Sequence, residues 1–180
     1  MSTVIGLSGS LRRGSYNTAL LRAARDTHPE ALQIASIREI PLYDADLETV
    51  GLPEAVEALK QRIAEADGLL LASPEYNNSI PGVLKNAIDW LSRPSGTIRN
   101  VFRDKAVAVM GASPGGFGTV SAQTAWLPVW RALGARHWSG GRLMVSGAHR
   151  VFGDQGELAD ADIRERLDTF VGGFITFCAA

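Results

Sequence analysis

The chain has 180 residues, of which 46% are hydrophobic and 21% charged, and 18 basic against 19 acidic residues leave a formal net charge of −1. These values predict one soluble globular domain and exclude a disordered, collagen-like or coiled-coil protein. A near-neutral charge gives no general attraction to nucleic acid or to an anionic membrane, so any anion site has to be local. One cysteine, Cys178, excludes an intramolecular disulfide and fits a cytoplasmic location.

Apolar runs alternate with amphipathic segments from the beginning of the chain. Thr3–Leu7 is predicted to form a buried strand, and Thr18–Thr27 carries apolar residues at helical spacing. A second strand is predicted over Ala31–Ile37. After an irregular segment, a helix with proline in its first turn is predicted over Pro53–Ala66.

The same alternation continues in the second half of the chain. Strands are predicted over Asp67–Ser73 and Lys105–Met110. A fifth strand is predicted within His137–Val145, where glycines weaken the strand pattern. Three further helices are predicted over Val83–Ser92, Val120–Leu133 and Asp160–Phe177. Pro128 is expected to kink or break the second of them.

Five strands alternating with five helices predict an α/β fold with a parallel sheet and helices on both faces, in one domain spanning residues 1–180. Such sheets bind ligands at the carboxyl ends of their strands, where the strand order reverses. In the order 2-1-3-4-5, the first, third and fourth strands are neighbours. The loops that follow them, at 8–17, 73–82 and 111–118, are therefore expected to form one site.

The first of these loops, SGSLRRGSYN at 8–17, contains more hydrogen-bond donors than a turn requires. Its Gly9-x4-Gly14 spacing is followed by Ser15 and Tyr16, where a nucleotide-triphosphate loop needs lysine and then serine or threonine. A dinucleotide fingerprint, G-x-G-x-x-G, is not present in this loop either. Both of those nucleotide-binding classes are therefore excluded.

A phosphate monoester remains as the ligand of this loop. The hydroxyls of Ser10 and Ser15, the side chain of Asn17, the guanidinium of Arg12 and the N–H groups of a helix N-terminus would all donate to it. The alternative is that Ser15 or Asn17 merely caps the helix while the arginines are solvated. The complete set of residues favours a mononucleotide site.

Other kinds of site find no support in the sequence. His28, His137 and His149 are widely spaced and show no zinc-binding pattern, and no G-x-S-x-G marks a serine hydrolase, so neither a metal nor a catalytic triad is expected. Trp126 and Trp130 lie four apart and are predicted to pack in the core or in a subunit contact.

Several segments of the chain together resemble the NAD(P)H-dependent FMN reductases, the flavodoxin-like group that includes quinone, chromate and azo-dye reductases. They are GSLRRGSYN at 9–17, PLYDAD at 41–46, PEYNNSIPGVLKNAIDWLSRP at 74–94 and the region around SPGG at 113–116. The resemblance implies a flavodoxin-like three-layer fold, FMN as cofactor and NADPH or NADH as co-substrate. Because the flavin carries the redox chemistry, no catalytic side chain is expected.

The matching positions imply a set of residues that contact the flavin. Gly115 is implied only as a weaker contact outside this set. The set is Ser10, Arg12, Ser15, Tyr16, Asn17, Pro74, Glu75, Tyr76, Asn77, Asn78, Ser113 and Gly116. Position 78 is often aromatic in close relatives, and asparagine there is a departure. Glu75 is expected to orient backbone or Lys85 rather than to act as a general acid. Candidates for a contact to the 2′-phosphate of NADPH are Arg93, Arg99, Arg103 and Arg150.

The resemblance further implies a homodimer or homotetramer built on the helix that carries Lys85 and Trp90, and a small-molecule acceptor such as a quinone, a free flavin, chromate or an azo compound. The leading prediction is an enzyme with a ping-pong cycle. The alternatives are a flavodoxin-like electron carrier and an FMN-binding sensor without turnover. Arg12 in the phosphate loop and the near-neutral charge favour the enzyme, because carriers of that type are usually strongly acidic.

Overall fold

The computed structural model describes residues 2–180, and their strands form a parallel sheet. The strands are β1 (Val4–Ser8), β2 (Leu32–Ala35), β3 (Gly68–Ala72), β4 (Ala106–Ala112), β5 (Arg136–His137) and β6 (Met144–Val145). Their order is β2-β1-β3-β4-β5, and β6 also pairs with β4. This confirms the predicted order 2-1-3-4-5. The register pairs Ser8 with Ala72 and Ala72 with Met110, so β1, β3 and β4 end close to one edge.

Seven helices are assigned within residues 2–180. They are α1 (Tyr16–Thr27), α2 (Ala45–Val50), α3 (Glu54–Glu65), α4 (Gly82–Leu91), α5 (Ile98–Val101), α6 (Val120–Leu133) and α7 (Ala161–Cys178). The sequence did not indicate α2 and α5, because helices of six and four residues are too short to show a hydrophobic period. Each helix in residues 2–180 lacks either the length or the apolar character that a membrane crossing needs.

Two details of the predicted elements are corrected. A break at Pro128, one of the two expected outcomes, is wrong, because α6 continues through Pro128 as one helix. Pro128 and Thr124, four residues before it, are both exposed, so water reaches the carbonyl that proline leaves without its usual donor. The predicted fifth strand is split into β5 and β6, which pair with opposite ends of β4. Between them Gly140 and Gly141 leave the ladder and pack against the ring of Trp138, where a Cβ on Gly140 would lie 2.6 Å from the indole nitrogen.

Alternating side chains of the strands form two separate cores, one on each face of the sheet. Leu70 points into a core shared with α1 and α7, whereas Leu69 and Leu71 point into a core shared with α3, α4 and α6. Trp126 and Trp130 are fully buried in the second core, with ring centroids 5.1 Å apart. The three layers hold the ends of β1, β3 and β4 rigidly beside one another.

Candidate active site

The loops that follow β1, β3 and β4 meet at the carboxyl edge of the sheet. The Gly9 N–H donates to the Ala72 carbonyl over 2.8 Å, and the Ser73 N–H donates to the Met110 carbonyl over 2.8 Å. A Cβ on Gly9 would lie 2.8 Å from side-chain atoms of Pro74 and Leu84, so only glycine allows the first two loops to approach this closely. The predicted convergence of the loops is thus present.

The three loops enclose a cleft of about 380 Å³, a size typical of small-molecule sites. Of the residues implied by the resemblance, those that line it are Ser10, Arg12, Ser15, Tyr16, Asn17, Pro74, Glu75, Tyr76 and Ser113. Asn77, Asn78 and Gly116 do not line it. Ala112 and Pro114 complete the wall and were missed, although both flank Ser113 in the loop after β4.

The amino terminus of α1 points its free donors into this cleft. Ser15 is the N-cap residue, and its Oγ accepts from the Thr18 N–H over 3.2 Å, which leaves its own hydroxyl hydrogen free. Among residues 2–180 the N–H groups of Tyr16 and Asn17 have no protein acceptor. Unpaired N–H groups and the positive end of a helix dipole together favour an anion here.

Arg12 and Ser10 extend this donor set. The exposed Arg12 guanidinium lies over the Tyr16 ring, 5.4 Å from its centroid, and this contact holds a positive charge at the rim of the cleft. The Ser10 Oγ accepts from the Arg12 N–H over 3.4 Å and lies 3.5 Å from the Tyr76 hydroxyl. Ser10 thereby connects the first loop to the loop after β3.

The Asn17 side chain has a different role from the predicted donation to phosphate. It is buried, its Nδ2 donates to the Ala112 carbonyl over 2.8 Å, and its Oδ1 accepts from the Ala112 N–H over 2.9 Å. The Asn17 amide therefore makes the two hydrogen bonds with Ala112 that the backbone of a neighbouring strand would otherwise make at the end of β4. What Asn17 leaves for a ligand is its backbone N–H.

The Glu75 carboxylate caps α6. Its Oε2 accepts from the N–H groups of Ser121 and Ala122 over 2.7 and 3.0 Å. The prediction that Glu75 orients backbone is confirmed, while Lys85 pairs instead with Asp89 at 2.7 Å. The hydrogen bonds attach the loop after β3 to α6 and hold the wall of the cleft in place.

The tip of the loop after β3 is a tight turn. Tyr76 and Ser79 form an isolated antiparallel bridge, and the two residues between them, Asn77 and Asn78, have φ values of 51° and 58°. Apart from glycine, asparagine tolerates this left-handed conformation best. The left-handed backbone conformation therefore explains why position 78 is asparagine rather than an aromatic residue. Asn78 lies in an exposed turn outside the cleft wall.

In the loop after β4, Ser113 is fixed by three hydrogen bonds. Its N–H donates to Val145, its carbonyl accepts from Ala148, and its Oγ accepts from the Gly115 N–H over 3.1 Å. The Ser113 hydroxyl hydrogen remains free. Gly116 lies exposed at the far side of the same loop, away from the cleft.

These donors fit the phosphate and ribityl chain of FMN. The free N–H groups at α1, the hydroxyl hydrogens of Ser10 and Ser15 and the Arg12 guanidinium can surround a phosphate monoester without any lysine or metal. Pro74 and Tyr76 offer a flat, partly apolar wall beside it. The residues present therefore fit the cofactor that the sequence predicted.

Comparison with known proteins decides the family. The family described as NADPH-dependent FMN reductase matches residues 2–150. The chain belongs to this family. The predicted family, its fold, its FMN cofactor and its dependence on NAD(P)H are confirmed by this membership.

Relatives of this FMN reductase family member cover almost its whole length. It is 44% identical over 166 residues to an NAD(P)H-dependent FMN reductase of Pseudomonas aeruginosa, covering 91% of this chain and 88% of that protein. It is 38% identical over 165 residues to a 2-hydroxy-1,4-benzoquinone reductase of a Burkholderia species, covering 91% and 88%. Its fold matches FerB, a flavoenzyme NAD(P)H:(acceptor) oxidoreductase from Paracoccus denitrificans, with a TM-score of 0.88 and 32% identity over 99% of this chain and 98% of that one.

Proposed function

We propose that residues 1–180 form one FMN-binding domain that uses NAD(P)H to reduce a small-molecule acceptor, with a quinone as the preferred class. When bound, FMN supplies the redox chemistry by accepting a hydride equivalent and passing electrons on. The protein's residues bind the cofactor, orient it and leave one side open. Because that one open side serves reductant and acceptor in turn, the kinetics are ping-pong.

The observation that carries the proposal is the set of free donors at the amino terminus of α1. The unpaired N–H groups of Tyr16 and Asn17 lie beside the hydroxyls of Ser10 and Ser15 and beneath the charge of Arg12. This arrangement stands at the switch point of the sheet, where β1 has neighbours on both sides. We assign the FMN phosphate to it.

The rest of the cleft is suited to a ring system that reacts by stacking. Pro74 is buried and Tyr76 is 48% exposed, so one wall is fixed while the other side opens to solvent. Glu75 has its carboxylate in hydrogen bonds to α6 and is not placed to move a proton. The proposed role of the side chains is therefore binding and orientation.

A quinone acceptor is supported by the open, partly apolar cleft and by the relatives. A 2-hydroxy-1,4-benzoquinone reductase and several quinone reductases are among the similar proteins. A planar quinone can occupy the same stacking position as a nicotinamide ring. Chromate and azo compounds remain as further acceptors of the same site.

An anaerobic visible spectrum tests the proposal. The protein is loaded with FMN, NADPH or NADH is added, and then a benzoquinone. We expect the flavin band to bleach with the nicotinamide and to return with the quinone. A flavin that binds but stays oxidised would make the protein a carrier or sensor, and failure of FMN to bind would overturn the assignment of the cleft.

We also propose a homodimer or a homotetramer, with α4 at the interface. The segment 41–43 packs on α4, where the Pro41 carbonyl accepts from Asn86 and Trp90. Leu42 is 81% exposed beside this contact, and Val83 on α4 is partly exposed. These apolar side chains support association through this surface. Light scattering of the active, FMN-loaded protein is expected to give at least twice the 19.2 kDa chain mass, and a single-chain mass would refute it.

A cytoplasmic location is the last part of the proposal. It is supported by the need for NAD(P)H, an intracellular reductant, and by the single cysteine of the sequence, which is typical of chains that do not depend on disulfides. Cell fractionation with activity measured in each fraction tests it, and activity confined to a membrane or secreted fraction would contradict it.

A further inference from the structure

A second depression lies next to the flavin cleft, on the other side of the loop after β1. It has a volume of about 560 Å³ and is bounded by this loop, by α1 and by the segment that follows β2. Ser10 and Arg12 border both depressions. We call it the arginine groove, because Arg12, Arg13, Arg22 and Arg38 all line it.

The charge of this groove is not compensated by the protein. All four arginines are exposed, none of them has a carboxylate within 4.0 Å among residues 2–180, and no acidic residue lines the groove. The whole chain nevertheless has a formal charge of −1. Because Arg12 is assigned to the FMN phosphate, Arg13, Arg22 and Arg38 leave three uncompensated positive charges in the groove when FMN is bound, and these attract a ligand with more than one negative charge.

The groove is also shaped rather than flat. The Arg38 guanidinium donates to the Leu11 carbonyl over 2.6 Å, which ties the segment after β2 to the loop after β1. The hydroxyls of Ser8 and Thr18 share a 2.7 Å hydrogen bond at its base, and Ile34 and Ile37 provide apolar wall. Such a mixture suits a sugar phosphate attached to a planar base.

We infer that the arginine groove binds the 2′-phosphoadenosine half of NADPH and so gives the enzyme a preference for NADPH over NADH. The inference rests on the proposed function, in which a nicotinamide nucleotide reduces the flavin in the adjoining cleft. A dinucleotide can span the two sites across Ser10 and Arg12. Arg38, which follows β2, and Arg22 on α1 are the groove arginines that we assign to the 2′-phosphate.

This assignment replaces the candidates that the sequence suggested. Arg103 precedes β4 and therefore lies at the amino edge of the sheet, where it pairs with Asp104 at 3.7 Å. The Arg93 guanidinium lies over the Tyr43 ring. None of the four candidates, Arg93, Arg99, Arg103 and Arg150, lines the cleft or the groove.

The test uses the FMN-loaded protein, so that the flavin cleft is already filled. Calorimetry measures the affinity for 2′,5′-ADP and for 5′-AMP in the wild type and in the variants Arg22→Gln and Arg38→Gln. Arg25→Gln is the matched control, since Arg25 lies three residues further along α1, pairs with Asp26 and does not line the groove. Steady-state assays give KM and kcat for NADPH and NADH.

Each groove variant is expected to lose about tenfold in affinity for 2′,5′-ADP, the effect of one charge-assisted contact. The affinity for 5′-AMP should change little, KM for NADPH should rise by a similar factor, and KM for NADH and kcat should stay constant. Equal losses for both ligands, or equal effects in Arg25→Gln, would overturn the inference. So would competition by inorganic phosphate as strong as that by 2′,5′-ADP, which would make the groove an unspecific anion attractor.

The two proposals fail in different ways. If the flavin stays oxidised with both nucleotides but 2′,5′-ADP binds and depends on Arg22, the reductase function fails while the groove remains a 2′-phosphate site. If the flavin is reduced equally well by NADPH and NADH in the wild type and in Arg22→Gln, the function stands and the groove assignment is refuted. Arg22 is exposed and has no ion-pair partner among residues 2–180, so Arg22→Gln is expected to fold and loss of structure does not obscure the result.

Discussion

Replacing Asn17 with alanine should destabilise the protein by about 2–3 kcal/mol, because two polar groups of Ala112 lose their partner. The N–H groups of Gly111 and Ser113, on either side of Ala112, donate to Leu143 and Val145 near β6, so Ala112 faces the opposite direction, beyond the end of β3. The Asn17 amide meets both groups there at 2.8 and 2.9 Å.

The magnitude follows from the number of groups left unpaired. Each buried backbone group without a partner costs about 1–3 kcal/mol, which gives about 2–6 kcal/mol for the pair. Ala112 also borders the cleft, so water can reach it after the substitution, which places the expected cost at the lower end of that range, about 2–3 kcal/mol.

Urea unfolding followed by circular dichroism measures the effect. Asn17→Ala should lower the midpoint with an unchanged slope, and Asn100→Ala, on the exposed side of α5, should leave it within about 0.5 kcal/mol of the wild type. Asn17→Asp keeps the acceptor for the Ala112 N–H but places an oxygen against the Ala112 carbonyl, so it should destabilise at least as much. A loss below 1 kcal/mol for Asn17→Ala would refute the role of the amide as a substitute strand.

Three further predictions concern single side chains. Arg12→Ala should weaken FMN binding by about 1.5–3 kcal/mol, the value for a hydrogen bond to a charged group, and equal FMN dissociation constants in a fluorescence titration would reject the phosphate contact. Asn78→Gly should leave thermal stability unchanged or raise it, whereas Asn78→Val should lower it by about 1–2 kcal/mol because its φ is 58°; equal melting temperatures would contradict this. Burial, followed by the charge of Asp67, raises the pKa of Cys178 to about 11. Its reaction with a thiol reagent at pH 8 should therefore be on the order of a hundredfold slower than that of a free thiol and should accelerate up to about pH 11, and rapid labelling at pH 8 would contradict the raised pKa of Cys178.

Most strands and helices of the fold were predictable because each of them leaves a recognisable pattern of apolar residues in the sequence. The strands Thr3–Leu7 and Asp67–Ser73 were recognised from continuous apolar runs, and their parallel arrangement followed from the alternation with helices. The split of the fifth strand was not predictable, because it depends on how Gly140 and Gly141 pack against Trp138 in three dimensions. Short helices such as α2 have the same limitation, since six residues hold less than two turns.

In the candidate site, the residue types were predictable from the sequence, but their hydrogen-bond partners were not. The sequence identified the loops and the donors, and the cleft contains nine of the twelve implied contacts named above. It did not identify the partners of Asn17 and Glu75, because Ala112 and Ser121 are 95 and 46 residues away along the chain. A buried amide that binds backbone and a solvated amide that binds a ligand have the same local sequence.

Net charge was a weaker indicator of function than the distribution of charge. A formal charge of −1 excludes a strongly acidic carrier surface, but it says nothing about where the basic residues lie. The structure brings Arg12, Arg13, Arg22 and Arg38 to the lining of one depression, and none of them has a carboxylate partner within the part of the chain that the structure describes. An electron carrier docks a protein on its rim, whereas an enzyme has to draw small anions into a cleft. A local positive field next to the proposed flavin cleft serves the second task.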